Sequence, residues 1–249
     1  KAIVRLLCGD PPHTMFYELF LTEEGRKISK SSGIGITMEN WGRWGTQDSL
    51  NRLMFRNPRQ QKRLSPETVI QYTDETLTMA PDDPQYPFIY YRGDRPDLGG
   101  LRYSDIINLV NAISETDPDV LLEYLGRSFG HERIRANEPF VRELLEKAIH
   151  YYEDFILPTR RTPELTEAEW ALVEEFEQLI ERTDDAEEIQ TGVFDIARAH
   201  GMQPKRFFQI LYGVLLGSDS GPRIGGFVTL VGKDRIRELI RTAREKARS

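Results

Sequence analysis

Two lysines stand three positions apart in the polar segment Lys27-Ile28-Ser29-Lys30-Ser31-Ser32-Gly33. An ammonium group is a compact charge on a flexible stem, so such a pair suits a mobile clamp on the phosphates of a triphosphate. The hydroxyls of Ser29 and Ser31 add hydrogen-bond donors, and Gly33 and Gly35 allow the segment to move. Taken alone, such a pattern more often belongs to an exposed basic loop without a ligand. The rest of the sequence is therefore needed to distinguish a phosphate-binding loop from such a loop.

The charge of the chain is strongly segregated. Residues 26–63 hold nine lysines and arginines against two acidic residues, and residues 198–249 hold eleven against four. The intervening residues 64–197 carry thirty acidic residues against eleven basic ones, and the net charge is −7. Two basic regions on an acidic body can orient a polyanion, whereas solvated helix faces of mixed charge are the alternative explanation.

The elements that position the lysine segment are mainly helices. Residues 16–21 read as a strand rich in aromatic and apolar side chains, and a polar loop follows to about Gly35. Apolar residues then recur at helical spacing almost to the end of the chain. We expect one helix to close at Gly217 and a last helix to span Asp234 to Ala247. Helix starts are expected at Asp48, Ser65-Pro66, Ser104, Asp117-Pro118, Thr166 with Glu169, Asp185 with Glu188, and Pro204.

Residues 80–100 are rich in proline and glycine, so we expect neither a helix nor a central strand there and place a domain boundary nearby. Gly221-Pro222-Arg223 with Gly225-Gly226 predicts a tight turn between helices. Trp41 and Trp44 follow the polar loop; anchoring of the loop is the favoured role for them, and stacking on a nucleotide is the alternative.

Composition excludes several classes of protein. No apolar run approaches the roughly 18 residues of a membrane-spanning helix. One cysteine, Cys8, forms no intrachain disulfide, which favours a reducing, cytoplasmic setting. With one cysteine and four scattered histidines, we expect no metal site. The chain begins at Lys1 and not at methionine, and we expect it to be a fragment of a longer protein.

The lysine segment, read as KISKS, resembles the KMSKS loop of class I aminoacyl-tRNA synthetases. The resemblance extends over nearly all of the chain, and further residues are similar to the class I lysyl-tRNA synthetase family. They are Tyr17-Glu18-Leu19-Phe20-Leu21, Asn57-Pro58-Arg59, Lys62-Arg63-Leu64, Tyr152-x-x-Phe155 with Pro158, and the run from Leu211 through Gly213, Gly217, Gly221-Pro222-Arg223 and Gly225-Gly226 to Phe227. KISKS alone indicates the superfamily; the C-terminal run points to the lysine enzyme within it.

The resemblance implies roles for the segment's residues. Lys30 would contact the phosphates of ATP, taken up with Mg²⁺ as a substrate, and would stabilise the transition state for lysyl-adenylate formation. Lys27, Ser29 and Ser31 would shape the same ATP-binding loop. Lysine and tRNA(Lys) would be the other substrates. Contacts to tRNA phosphates are expected, with plain surface charge as the alternative, from Arg52, Arg56, Arg59, Lys62 and Arg63; Arg223 would meet either an anticodon phosphate or a helix C-terminus.

The family's histidine-containing HIGH motif is absent from the sequence, so we expect the chain to correspond to the C-terminal half and to be inactive alone. Expected domains are the end of the nucleotide-binding catalytic domain (residues 1–35), a helical stem-contact connector (36–80) and an all-helical anticodon-binding bundle (81–249). The fold class is therefore mainly α. Two alternatives stay open: a non-catalytic tRNA-binding module, and a glutamyl-type class I synthetase.

Overall fold

The computed structural model describes residues 16–28, 36–90, 93–161 and 163–248. Within these ranges the chain is mainly α-helical, as predicted. The strands are β1 (Phe20–Thr22) and β2 (Lys62–Leu64). The first helices are α1 (Met38–Trp44), α2 (Gln47–Phe55), α3 (Pro66–Leu77), α4 (Tyr86–Ile89), α5 (Tyr103–Ile113), α6 (Pro118–Phe129), α7 (His131–Ala136) and α8 (Glu138–Tyr151). A π-helical turn (Tyr152–Ile156) and a 3₁₀ turn (Leu157–Thr159) extend α8, and α9 (Glu167–Arg182), α10 (Ala186–Ala199), α11 (Pro204–Leu216), α12 (Ile224–Val231) and α13 (Lys233–Arg248) follow.

The two strands form a small parallel ribbon in which Leu21 lies opposite Arg63. Leu21 also forms an antiparallel bridge with Lys27, because the chain reverses at Gly25, whose φ is +83°. The predicted strand at 16–21 is therefore misplaced: only its last two residues, with Thr22, have a partner strand. The limit is set by β2, which is three residues long.

Several helix ends follow from local chemistry as predicted. At α9 the Glu169 N–H donates to the Thr166 hydroxyl at 3.3 Å, and the Thr166 N–H donates to the Glu169 carboxylate at 3.0 Å. Asp185 accepts from the Glu188 N–H at 2.8 Å, although the Glu188 carboxylate accepts from a threonine hydroxyl and not from the Asp185 N–H. Gly217 closes α11 with a φ of +67°, which glycine adopts without a steric penalty.

Two predicted caps are wrong by two residues. The cap of α2 is Thr46, whose hydroxyl accepts from the Ser49 N–H at 3.1 Å, while Asp48 lies in the first turn, where its charge suits the helix dipole. Ser104 lies inside α5, and its N–H donates to the Asp74 carboxylate at 3.0 Å. In both helices, a free N–H group of the first turn donates to an acceptor that the sequence pattern did not indicate: the Thr46 hydroxyl in α2 and the Asp74 carboxylate in α5.

The proline-rich segment 80–100 contains the short helix α4, contrary to the prediction. The segment packs on the protein: Ile89 is fully buried, and the Tyr90 hydroxyl donates to the Thr76 carbonyl at 2.7 Å. The Arg95 N–H donates to the Tyr86 hydroxyl at 2.8 Å. These contacts stabilise a helix that the local sequence alone does not favour.

Helix α5 lies at the centre of the packing. It contacts α3, α8, α11 and α12, and it buries Tyr103, Ile106 and Leu109 completely. Helix α1 packs against α8, and α9 through α13 pack against one another around Phe176 and Phe207. One apolar cluster therefore joins the segment after the lysine loop to the C-terminal helices.

Gly225 and Gly226 lie in helix α12 and not in the predicted turn. Helix α12 packs against α10 so closely that a Cβ added at Gly225 would overlap the Ala186 carbonyl. A Cβ at Gly226 would meet nothing within 4 Å. The first glycine therefore permits a helix crossing, whereas the second lies on an open face.

These two glycines predict opposite responses to alanine. Gly225→Ala should lower the free energy of unfolding by about 1–3 kcal/mol, because backbone has to shift to accept the methyl group. Gly226→Ala should raise it by about 0.5–1 kcal/mol through helix propensity. Urea unfolding of both variants measures the difference, and equal responses would contradict the close crossing.

Candidate functional site

Lys27 is exposed at the edge of the small ribbon. Leu21 has Lys27 opposite it on one side and Arg63 on the other, so the three side chains share one face of the ribbon. Both basic side chains are exposed. The other predicted members of the phosphate loop, Ser29, Lys30 and Ser31, lie outside the described residues.

Ile28 anchors the start of the lysine segment. Its N–H donates to the Phe20 carbonyl at 3.2 Å, and its half-buried side chain packs against the hydrophobic core. Because neighbouring residues of an extended segment face opposite sides, burial of Ile28 turns Lys27 outward. The apolar residue within KISKS therefore has a structural role that the sequence analysis did not assign.

Arg52 and Arg56, two of the predicted phosphate contacts, are held by acceptors of the protein itself. The Arg52 side chain is only 14% exposed, and its guanidinium donates to Gln85 at 2.6 Å and lies 3.6 Å from the Glu75 carboxylate. Arg56 also pairs with Glu75 and lies over the Tyr72 ring. Arg52 therefore joins α2 to α3 and to the segment before α4, and Arg56 joins the end of α2 to α3.

Arg59, Lys62 and Arg63 lie at the exit of α2 and on β2. Arg59 and Arg63 are exposed. Arg63 reaches the Glu23 carbonyl at 3.5 Å, and Lys62 donates to the Asn57 carbonyl at 3.3 Å. Burial and then the charge of Arg56 lower the pKa of Lys62 from its ordinary value. No carboxylate in the described part of the chain pairs with these three cations, which leaves them available to an anion.

Arg223, the remaining predicted contact, directly precedes α12. It pairs with Glu187 in the first turn of α10 at 2.7 Å, and both side chains are mostly exposed. It lies apart from the ribbon, because α12 packs against α5, α6, α10 and α13. The predicted basic residues thus form two separate groups.

The two tryptophans join the ribbon side of the molecule to the helices. Trp41 is 1% exposed, and its indole N–H donates to the Ser49 hydroxyl at 3.0 Å. Trp44 is 8% exposed and lies edge-on against Phe155, with ring centroids 4.7 Å apart. Neither ring is available for stacking on a nucleotide, and both anchor α1 to its neighbours; residues 29–35 of the loop that they were expected to anchor lie outside the described residues.

Asp154, in the π-helical turn after α8, binds two side chains of α1. It accepts from the Trp44 indole N–H at 2.7 Å and pairs with the Arg43 guanidinium at 2.6 Å. The hydrogen bond from Arg43 holds the pKa of this carboxyl below its usual value, and the Trp44 bond acts in the same direction against partial burial. We call Arg43, Trp44 and Asp154 the α1–α8 joint.

Two further bonds reinforce the joint. The Tyr103 hydroxyl donates to the Trp44 carbonyl at 2.6 Å, and the Lys147 ammonium donates to the Gly42 carbonyl at 2.8 Å. The carbonyls at the end of α1 thus receive donors from α5 and α8, which satisfies acceptors that the helix itself leaves free. The sequence analysis did not predict these contacts. The one indication in the sequence was Asp154, an acidic residue within the motif Tyr152-x-x-Phe155.

Among the described residues, no three histidine, cysteine, aspartate or glutamate side chains are grouped so that they could hold a metal ion. In the same residues, no helix has the length and apolar character needed to cross a membrane.

Comparison with known proteins gives two family matches. Residues 1–82 match the family described as tRNA synthetases class I (K), and residues 117–244 match the anticodon binding domain. The lysine--tRNA ligases of Rickettsia bellii (strain OSU 85-389) and Rickettsia peacockii (strain Rustic) are 31% and 30% identical over 254 residues. Each alignment covers 96% of this chain and 48% of the relative, so the chain spans about half the length of the curated relatives it matches.

The joint predicts how stability depends on pH. Because the folded pKa of Asp154 is lowered, its contribution is present above the unfolded pKa of about 3.9 and is lost as the pH falls through the folded value. Asp154→Asn should therefore lower the free energy of unfolding at pH 7 by about 1 kcal/mol, allowing for partial exposure.

Urea unfolding between pH 7 and pH 3 measures this effect, and the difference from wild type should shrink below about pH 4. Asp219→Asn, at an exposed carboxyl, is the matched control and should change little. A pH-independent difference for Asp154→Asn would contradict the charge pair.

Proposed function

The chain belongs to the class I tRNA synthetases of the lysine type and to the anticodon binding domain family, and from this premise we propose that it forms the tRNA-binding half of a lysine–tRNA ligase. The ligase would use ATP to convert lysine into lysyl-adenylate and then transfer the lysyl group to tRNA(Lys). The relatives of that name are about twice as long as the chain. Activity would therefore require the half of such a ligase that this chain does not cover.

One observation carries the proposal: the two matched regions form a single packed unit. The lysine segment begins on the ribbon, and β2 leads directly into α3, which packs against α5. The joint then fixes α1 to α8, inside the region matched by the anticodon binding domain. The distance between the ATP-binding loop and the domain that binds the anticodon arm of tRNA would thus be fixed.

We assign residues 1–35 to the end of the catalytic domain, residues 36–80 to a stem-contact connector and residues 81–249 to the anticodon-binding domain. The two family matches, at residues 1–82 and 117–244, support a domain boundary in the segment between them. Helices α1, α2 and α3 of the connector would hold the loop at a defined position relative to the anticodon-binding domain.

In the activation step, the carboxylate of lysine attacks the α-phosphorus of ATP, the bond to the β-phosphate oxygen breaks, and pyrophosphate leaves. Lys30 and Lys27 would stabilise the negative charge that builds on the leaving group, and Ser29 and Ser31 would add hydrogen bonds to the phosphates. Ile28 would hold the base of the loop against the hydrophobic core. ATP would enter with Mg²⁺, carried as part of the substrate.

The tRNA stem would contact Arg59, Lys62 and Arg63, whose charges no described carboxylate neutralises. Arg52 and Arg56 would instead shape that surface, because Glu75 and Gln85 hold them in place. A function in tRNA charging, together with the single cysteine, favours a cytoplasmic location.

Lys30→Ala in the full-length ligase tests the proposal. ATP–pyrophosphate exchange, measured with lysine and saturating tRNA, should fall by about 10²–10³-fold because a charge aimed at the leaving group is lost. The dissociation constant for tRNA should stay within about twofold, because Lys30 is proposed to contact ATP and is not among the residues proposed to contact tRNA.

Lys205→Ala removes an exposed lysine from α11 and should leave exchange unchanged. An exchange rate that survives Lys30→Ala would refute the role of the loop. Charging of tRNA with glutamate in place of lysine would identify the glutamyl-type alternative, and binding without charging of any amino acid would identify the non-catalytic module.

A further inference from the structure

A cleft of about 160 Å³ opens between Arg160, Arg161 and Pro163 on one side and the ends of α11 and α13 on the other. None of its lining residues belongs to the ribbon, to the joint or to the turn before α12. A water molecule takes up about 30 Å³ in the liquid, so the cleft has room for about five waters. Inorganic phosphate, which has five heavy atoms, is a ligand of matching size.

The floor of the cleft is apolar, and its edge is fixed by the backbone. Leu239 and Ala243 of α13 are buried beneath it. Gly217 closes α11 with a φ of +67°, and a Cβ added there would overlap the Arg160 side chain. Glycine at this position therefore lets Arg160 lie against the end of α11. The Arg161 N–H donates to the Gly217 carbonyl at 3.2 Å, which holds the backbone of both arginines at the edge of the cleft.

Three cations line the cleft: Arg160, Arg161 and Lys246. The Arg160 guanidinium donates to the Ser114 hydroxyl at 3.0 Å and lies 3.4 Å from the Asn111 carbonyl, and both of these acceptors are neutral. The side chains of Arg161 and Lys246 are exposed. No described carboxylate lines the cleft, and none in that part of the chain forms an ion pair with the three cations. Their charge is therefore available to a ligand.

Other cations of α13 differ from Lys246 in this respect. Arg237 pairs with Glu177 of α9 at 3.2 Å, and Arg244 pairs with Glu174 of the same helix. Lys246 follows Arg244 by two residues and therefore points to a different side of α13. The acidic residues of α9 thus neutralise one side of α13 and leave the cation at the cleft unpaired.

The helix ends at the cleft oppose an anion but do not cancel the cations. The C-terminal ends of α11 and α13 each carry about half a negative charge. The three side chains each carry one positive charge, so about two positive charges remain. A phosphate monoester near neutral pH carries about −1.5 to −2 charges and offers several acceptor oxygens. The size and the charge of the cleft therefore both match a phosphate group.

We propose that this cleft binds one phosphate group, whose oxygens accept hydrogen bonds from the guanidinium groups of Arg160 and Arg161, the ammonium group of Lys246 and the hydroxyl of Thr242. Thr242 and Lys246 are four residues apart on α13, so they lie on one face of the helix. Arginine and lysine together are the usual ligands of phosphate in proteins. The inference goes beyond the proposed function, since lysine activation uses no residue of this cleft. The group belongs either to a free phosphate or to the backbone of a bound RNA, and two probes distinguish these sources.

Thr242→Glu in this chain tests the site, because it places a carboxylate among the three cations. Thr242→Gln is the matched control, since glutamine has the size of glutamate and no charge. Thr242 is exposed on α13, so both variants should fold, which circular dichroism and the melting temperature check. Arg161→Gln removes a cation whose side chain has no hydrogen bond or ion pair within the described residues. Its control is Arg241→Gln, at an exposed arginine of α13 that does not line the cleft.

The first probe is inorganic phosphate, titrated at constant ionic strength and followed by the ³¹P NMR line width. Thr242→Glu and Arg161→Gln should each raise the dissociation constant for phosphate at least about tenfold, because a charge-assisted hydrogen bond is blocked or lost. Thr242→Gln and Arg241→Gln should change it less than about threefold, since neither alters the charge within the cleft.

The second probe is a tRNA(Lys) transcript. If Thr242→Glu weakens its binding at least about fivefold relative to Thr242→Gln, the cleft holds a backbone phosphate of RNA. If only the binding of inorganic phosphate weakens, the cleft holds a free phosphate. A folded Thr242→Glu variant that binds both probes as Thr242→Gln does would overturn the proposal, because the cations would then serve only to stabilise the helix ends. The proposed ligase function would survive that result, since it is tested by Lys30→Ala.

Discussion

The attachment of α1 to the turn after α8 is the constraint on which the rest of the structure depends. One carboxylate, Asp154, accepts from both Trp44 and Arg43, and Trp44 is enclosed by Phe155 and bonded through its carbonyl to Tyr103. The joint connects residues more than 100 positions apart in the chain. Because both donors belong to α1, these bonds fix α1, the helix that follows the lysine segment in the chain, against α8.

The features that were predictable from the sequence are those that local chemistry decides. Thr166 with Glu169 satisfies the first N–H groups of a helix through side chains three residues apart, and Gly217 permits a left-handed helix end. Trp41 and Trp44 are buried, which agrees with the anchoring role that was favoured over stacking on a nucleotide. KISKS and the C-terminal run also predicted the family, which the comparisons confirm.

What the sequence did not predict depends on contacts between distant segments. Gly225 and Gly226 have the composition of a turn, yet both lie in a helix, and Gly225 lets this helix approach the backbone of α10. The helix at Tyr86–Ile89 forms in a proline-rich segment because Ile89 is buried by the surrounding helices. Nothing in the local sequence distinguishes Arg52 from the exposed Arg59. Only the folded chain brings Glu75 and Gln85 next to Arg52. The roles of Ser29, Lys30 and Ser31 stay predictions, since these residues lie outside the described part of the chain.

The most direct test of the joint compares two affinities of the same protein, for whole tRNA(Lys) and for its isolated anticodon stem-loop, in wild type and in Asp154→Ala. If the joint fixes two RNA-binding surfaces on one rigid body, whole tRNA gains affinity from contacting both at once. Asp154→Ala should then weaken binding of whole tRNA at least about tenfold and leave the stem-loop within about twofold. An equal change for both RNAs, or no change for either, would contradict the account.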